Sequence, residues 1–213
     1  MRFADRAEAG SELAGHLRHL RDYQPIVLGL PRGGVPVAYQ IAAALDAPLD
    51  VIVVRKLGVP WLPELAMGAI GEDGSRVLEI GTLRHEGITE AIFAEVERRE
   101  AAELLRRSAA YRAGRYALPI ADRTVIVVDD GIATGSTVRA ACLVARQRGA
   151  AHVVLAVPVL PPDLIRPLST VADEVFWLYA PEPMIAVGNW YDDFDQLSDA
   201  EVVEMLAHAD ARE

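Results

Sequence analysis

The sequence predicts an α/β fold, an open parallel sheet flanked by helices, and three observations carry that expectation. Apolar runs at 26–30, 49–54, 125–128, 152–159 and 174–179 lack the polar alternation of a half-exposed strand, as strands covered on both faces do. Stretches of helical period separate them, and strands alternating with helices build parallel sheets. Two of the runs, ending at Leu30 and Val128, pass through a glycine-rich loop straight into a helix. That unit leaves backbone N–H groups free to face an anion.

Length and charge narrow the class. The 213 residues suit a single domain, 1–213, rather than several. The formal net charge of −10 argues against nucleic acid as a partner, which needs a basic surface. No apolar run approaches the roughly 18 residues of a membrane span, so no membrane partner is expected. The N-terminus lacks the apolar core of a signal peptide, and the expected location is the cytoplasm. Cys142 is the one cysteine; lying on the apolar face of a helix, it reads as a core residue rather than a nucleophile. Lys56 is the one lysine.

The elements follow in order. Asp5 with Glu8 reads as a capping box, and Ala9, Leu13, Leu17 and Leu20 continue an amphipathic helix to about Arg21. After the strand at 26–30 comes Pro31-Arg32-Gly33-Gly34-Val35-Pro36, then a helix through Ala38, Ile41 and Leu45. The run 49–54 is expected to be one buried strand that delivers Arg55 and Lys56 at its carboxyl end, where open parallel sheets bind ligands. Gly71 to Ser75 reads as a hairpin turn. Thr89 caps a long helix to about Ala113, with Ile92, Val96, Ala102, Leu105 and Ala109 inward and an Arg/Glu-rich face in solvent. A helix at 162–171 and a capped helix at 198–209 complete the set.

The most informative stretch is 125–137: four β-branched residues, Asp129-Asp130, then Gly131-Ile132-Ala133-Thr134-Gly135-Ser136-Thr137. Its loop suits a phosphate, and the preceding carboxylates suit the hydroxyls of an attached sugar. It resembles the phosphoribosyl-diphosphate (PRPP) motif of the type I phosphoribosyltransferases. The segments Pro31-Arg32-Gly33-Gly34, Arg55-Lys56-Leu57-Gly58 and 63–70 are similar to those of a poorly characterised group within that family.

The resemblance implies a type I phosphoribosyltransferase-like fold, with a helical insertion at about 82–116 and a C-terminal hood at about 181–213. By it, Asp129 and Asp130 hold the ribose hydroxyls, residues 131–137 cradle the 5′-phosphate, and Arg32, Gly33 and Gly34 bind pyrophosphate. Arg55 and Lys56, a fork and a point charge, neutralise the diphosphate. In the hood, Met184, Ile185 and Trp190 meet the base, and Asp192 joins Asp129 and Asp130 in holding Mg²⁺. The implied activity moves the phosphoribosyl group from PRPP to a nitrogenous base in a nucleotide salvage or specialised pathway. The alternative is a non-catalytic PRPP or nucleotide sensor. Ala133 stands where 6-oxopurine enzymes carry an Asp, so the acceptor stays open, as does a homodimer.

Overall fold

The computed structural model describes residues 2–211. Strands β1 (Ile26–Gly29) and β2 (Leu49–Val51) begin the main sheet. Strands β3 (Val54–Val59), β4 (Leu62–Gly71) and β5 (Arg76–Leu78) form a separate antiparallel sheet. Strands β6 (Thr124–Val128), β7 (His152–Val159) and β8 (Glu174–Tyr179) complete the main sheet, in the order β2-β1-β6-β7-β8. Every pairing in that sheet is parallel, with Val27 opposite Ile126 and Val127 opposite Leu155. The α/β class and parallel sheet stand as expected.

The helices cover both faces. They are α1 (Arg6–Leu17), α2 (Gly34–Leu45), α3 (Ile80–His85), α4 (Glu90–Arg112), α5 (Ser136–Gln147), the short α6 (Ile165–Leu168) and α7 (Asp199–Asp210). Period-2 alternation explains how one apolar run serves both layers. Val27, Ile126 and Val128 join a core with Leu13, Ile41 and Leu206, while Leu28, Val125 and Val127 join another with Val138, Cys142 and Ala145. Each Val, Leu or Ile among them stabilises by about 1.5–3 kcal/mol when fully buried. Cys142 sits in this second core, its thiol pushed by burial up to about 12, which fits a packing role.

Four expectations need correction. The run 49–54 is not one strand. Ile52 N still donates to Gly29 O at 3.1 Å, but Glu72 N donates to Val53 O, and from Val54 the chain pairs antiparallel with β4. Because β2 lies at the sheet edge, the chain is free to peel away there, and Arg55 and Lys56 ride on β3 instead of a parallel strand end. The first helix stops at Leu17 and tightens into a 3-10 segment at Arg18–Tyr23 that closes on left-handed Gln24. Its cap is offset: Asp5 accepts from Glu8 N at 2.8 Å, while Glu8 accepts from Ala4 N rather than Asp5 N. Residues 162–171 hold a 3-10 turn, Pro162–Leu164, and then the single-turn α6.

The fourth correction concerns α4. Thr89 caps it as expected, accepting from Ile92 N, but the inward residues are Phe93, Val96, Leu104, Tyr111 and Arg112, and Leu105 is 62% exposed. The stripe runs through Glu100 and Arg107, so two charged residues hide it from an apolar pattern search. Nor is the charged face only solvated. Glu103 pairs with Arg106 and Arg107 along the helix, yet Glu97 reaches Arg76 on β5 and Glu100 reaches Arg55 on β3.

Arg112, in the last turn of α4, is buried with Asp50 and bonds to it and to Glu72. Its Nη2 also donates to Val51 O at 3.1 Å, and Asp50 accepts from Leu118 N at 2.9 Å. One guanidinium thus fastens α4 and the β4–β5 hairpin to β2. Arg112→Met strands two buried carboxylates, and a destabilisation of about 3–5 kcal/mol is expected. Urea unfolding measures it; a loss under about 1 kcal/mol, the value of an exposed pair, would show that water already solvates the carboxylates.

Candidate functional site

The order β2-β1-β6 sets the site. From β1 the chain turns to one side to make β2, and β6 lies on the other side of β1, so the loops after β1 and β6 diverge and leave a crevice at their carboxyl ends. Leu30 N donates to Val128 O at 2.8 Å and locks the two ends side by side. Helices α2 and α5 both start here, at Gly34 and Ser136, which brings two helix N-termini to the crevice.

The acid pair lies at the centre. Asp129 and Asp130 are half-buried, with Asp129 Oδ1 accepting from Asp130 N at 2.9 Å. A Cβ on Gly33 would stand 1.9 Å from Asp130 Oδ2, so only glycine lets the first loop approach the carboxylate this closely. Asp130 Oδ2 accepts from Arg6 Nε at 2.8 Å, and the Arg6 guanidinium lies 3.9 Å from the Phe194 ring centre. Tyr191 donates its hydroxyl to Asp130 O at 2.6 Å. Burial raises the Asp129 carboxyl well above the usual range, and the Asp130 charge adds to the rise. Burial raises Asp130 as well, opposed by Arg6.

Two cavities flank the pair. One, of about 180 Å³, is lined by the loop residues Gly131, Ile132, Ala133, Thr134, Gly135 and Thr137, together with Asp129 and Val187. Thr134 Oγ1 and Ser136 Oγ are 3.1 Å apart. Gly131 has φ +155, and a Cβ there would meet Val187 at 2.5 Å; the C-terminal segment is seated directly on the loop. The other cavity, of about 380 Å³, takes in Arg55, Lys56, Asp129 and Thr137, with Arg107 and Tyr111 from α4. Arg55 Nε donates to Glu100 at 2.9 Å and Lys56 pairs with Glu64 at 3.3 Å. Arg32 Nη1 lies 3.9 Å from Asp199 of α7. Burial and the nearby Asp199 raise the Tyr111 phenol.

Thus the structure gathers Asp129, Asp130, residues 131–137, Gly33, Arg55 and Lys56 around one crevice. It does not gather all of the tail residues. Met184 is half-buried, Ile185 is 79% exposed, and Trp190 stacks on Tyr179 with ring centres 6.1 Å apart. Asp192 is exposed and pairs with Arg2 at 3.6 Å. Among the described residues no three His, Cys, Asp or Glu side chains form a group able to hold a metal, so two adjacent carboxylates are the donor set at the crevice. That set suits Mg²⁺, which keeps waters and shares itself with substrate oxygens instead of needing a full protein cage. Arg6, Arg107, Tyr111, Val187 and Tyr191 escaped the sequence reading.

With this geometry in place, comparison decides the family. A family model of the phosphoribosyl transferase domain matches residues 6–184. The chain belongs to that family. It is 52% identical, over 99% of its length, to two Mycobacterium tuberculosis proteins, MT0597 and Rv0571c, which are named provisionally as phosphoribosyl transferases. The chain spans about half the length of these curated relatives, 48%. It is also similar to the crystal structure of TT1426 from Thermus thermophilus, with 42% identity, a TM-score of 0.92, and coverage of 98% of this chain and 99% of that one. No helix among the described residues of this phosphoribosyl transferase domain is long and apolar enough to cross a membrane.

Gly33→Ala tests the close approach. Its methyl overlaps the Asp130 carboxylate, and such overpacking costs about 1–3 kcal/mol. Thermal unfolding is expected to show that loss; an unchanged midpoint would mean the first loop moves aside freely.

Proposed function

We propose that the domain is an enzyme that transfers the 5-phosphoribosyl group of PRPP to a nitrogenous base, with Mg²⁺ and release of pyrophosphate. The observation that carries this reading is the acid pair at the β6 end, with a hydroxyl-lined loop cavity on one side and a basic cavity on the other. Asp129 and Asp130 take the ribose 2′- and 3′-hydroxyls. The amides and hydroxyls of residues 131–137 cradle the 5′-phosphate. Arg32, Gly33 and Gly34, with Arg55 and Lys56, receive the diphosphate. Met184, Ile185 and Trp190 form the side from which the base approaches.

In the reaction a nitrogen lone pair of the base forms the bond to C1′ while the C1′–oxygen bond breaks. The electron pair leaves on pyrophosphate, and the proton on the attacking nitrogen passes to solvent. Positive charge builds on the sugar, and the protein acts by positioning and charge placement. Arg55 and Lys56 stabilise the leaving oxygens. Asp129 and Asp130 fix the ribose so that C1′ faces the base. Asp129 and Asp130 would hold Mg²⁺, which would supply charge neutralisation to the diphosphate, and Asp192 would join them only by leaving its pairing with Arg2.

One observation favours a second reading, a PRPP or nucleotide sensor without turnover. None of the residues given to the base side, Met184, Ile185 and Trp190, carries a group that takes a proton from the attacking nitrogen, and Ala133 stands where 6-oxopurine enzymes carry an Asp. Two measurements test these readings. Asp129→Asn with Asp130→Asn is expected to abolish the calorimetric signal for PRPP with Mg²⁺; undiminished affinity would sink the site. A panel of bases is expected to show kcat/KM at least about tenfold lower for hypoxanthine and guanine than for the best adenine, pyrimidine or unusual base, roughly 1.4 kcal/mol. A preference for the 6-oxopurines would refute the reading of Ala133, and no turnover with any base would leave the sensor.

A further inference from the structure

The basic cavity holds more charge than the sequence assigns to it. Arg107 lines the same cavity of about 380 Å³ as Arg55, Lys56 and Asp129, and Tyr111, one helical turn further along α4, lines it too. Each of the three cations is held from outside the cavity by a glutamate. Arg107 Nε bonds Glu103 at 2.6 Å, Arg55 bonds Glu100, and Lys56 bonds Glu64 at 3.3 Å, and none of these glutamates is a lining residue. Three cationic side chains thus line one cavity, while their counter-ions do not.

The geometry points to α4 as part of the ligand site: we propose that Arg107 completes a three-cation wall that takes a diphosphate or diphosphate ester. The inference deepens the phosphoribosyl reading above and rests on it for the identity of the whole substrate, though not for the anion itself. A monophosphate already has the loop amides and hydroxyls at 131–137. The adjoining cavity, which shares Asp129 and Thr137 with the loop cavity and adds three cations, suits a ligand of higher charge. Arg107 suits it by chemistry, since a guanidinium presents a planar fork to phosphate oxygens. Its position is set by the helix: Tyr111 is buried one turn on, and Arg112 fastens the last turn to Asp50 and Glu72. Binding then becomes an exchange, in which ligand oxygens replace Glu103 at the guanidinium.

Calorimetric titration with inorganic pyrophosphate and, separately, ribose 5-phosphate tests this, with Mg²⁺ in the buffer. The proteins are the intact chain, Arg107→Met, Arg107→Lys and Glu103→Gln. Arg107 is partly exposed, and its side chain is not part of the core, so the variants should fold, and circular dichroism verifies it. Arg107→Met is expected to weaken pyrophosphate roughly tenfold to a hundredfold while ribose 5-phosphate changes less than about threefold. Arg107→Lys should lie between, and Glu103→Gln should tighten pyrophosphate. Equal losses for both ligands, or no loss for pyrophosphate, overturn the proposal. Binding of ribose 5-phosphate without pyrophosphate by the intact chain overturns it too and leaves the phosphoribosyl reading standing. Arg107-dependent pyrophosphate binding without ribose 5-phosphate upholds it and removes that reading. Failure of both ligands to bind removes both.

Discussion

The backbone of Gly33 lies so close to the Asp130 carboxylate that no side chain fits between them, and the rest of the site is a response to that approach. It requires β1 and β6 to be neighbours, which the parallel register supplies. It also removes water from a pair of adjacent carboxylates, which is unfavourable for both charges. Arg6 answers part of that cost from the first turn of α1, and Tyr191 fixes the Asp130 carbonyl from the segment after β8. Segments far apart in sequence are drawn over one crevice because two acids need partners there.

The second sheet depends on a different contact. Arg112 ties the last turn of α4 to Asp50 on β2 and to Glu72 in the hairpin after β4. A buried ion pair of this kind adds little net stability over a well-packed apolar substitute, but breaking one partner is costly. Its value here lies in orientation. With that joint fixed, β3 presents Arg55 and Lys56, and α4 presents Arg107, toward the same cavity that Asp129 borders.

What could be read from the sequence was whatever the chain decides locally. The β6 strand, the acid pair and the loop to α5 are consecutive, so their chemistry shows in one short stretch, 125–137. The buried runs were visible for the same reason, since covering on both faces erases alternation. That same rule misled at 49–54: a strand of one sheet followed by a strand of another is still an unbroken apolar run when both are covered. On α4, Glu100 and Arg107 sit on the inward face because they serve the cavity and β3, and a search for apolar spacing moves the face toward Leu105. Arg6 left no signal at all, because its partner Asp130 lies 124 residues away and nothing near Arg6 marks it. The tail segment offered residue types without positions; Val187, an ordinary valine, is seated on the loop at Gly131.

The separation between Arg6 and its partners has a meaning for how the protein comes into being. Helix α1 leaves the ribosome well before Asp130, and Tyr191 emerges later still. At about 5–20 residues per second the delay from Arg6 to Tyr191 is roughly 10–40 s. Through that interval Leu13 and Leu17 can pack on α2, but Arg6 has no carboxylate to hold at first and Phe3 has no Tyr191 to pair with. The crevice is assembled from contacts of long sequence separation, the kind that form slowly. A nascent chain therefore carries its acid pair and loop before the last two strands of the main sheet are made, and the segment with Tyr191 comes after all of them.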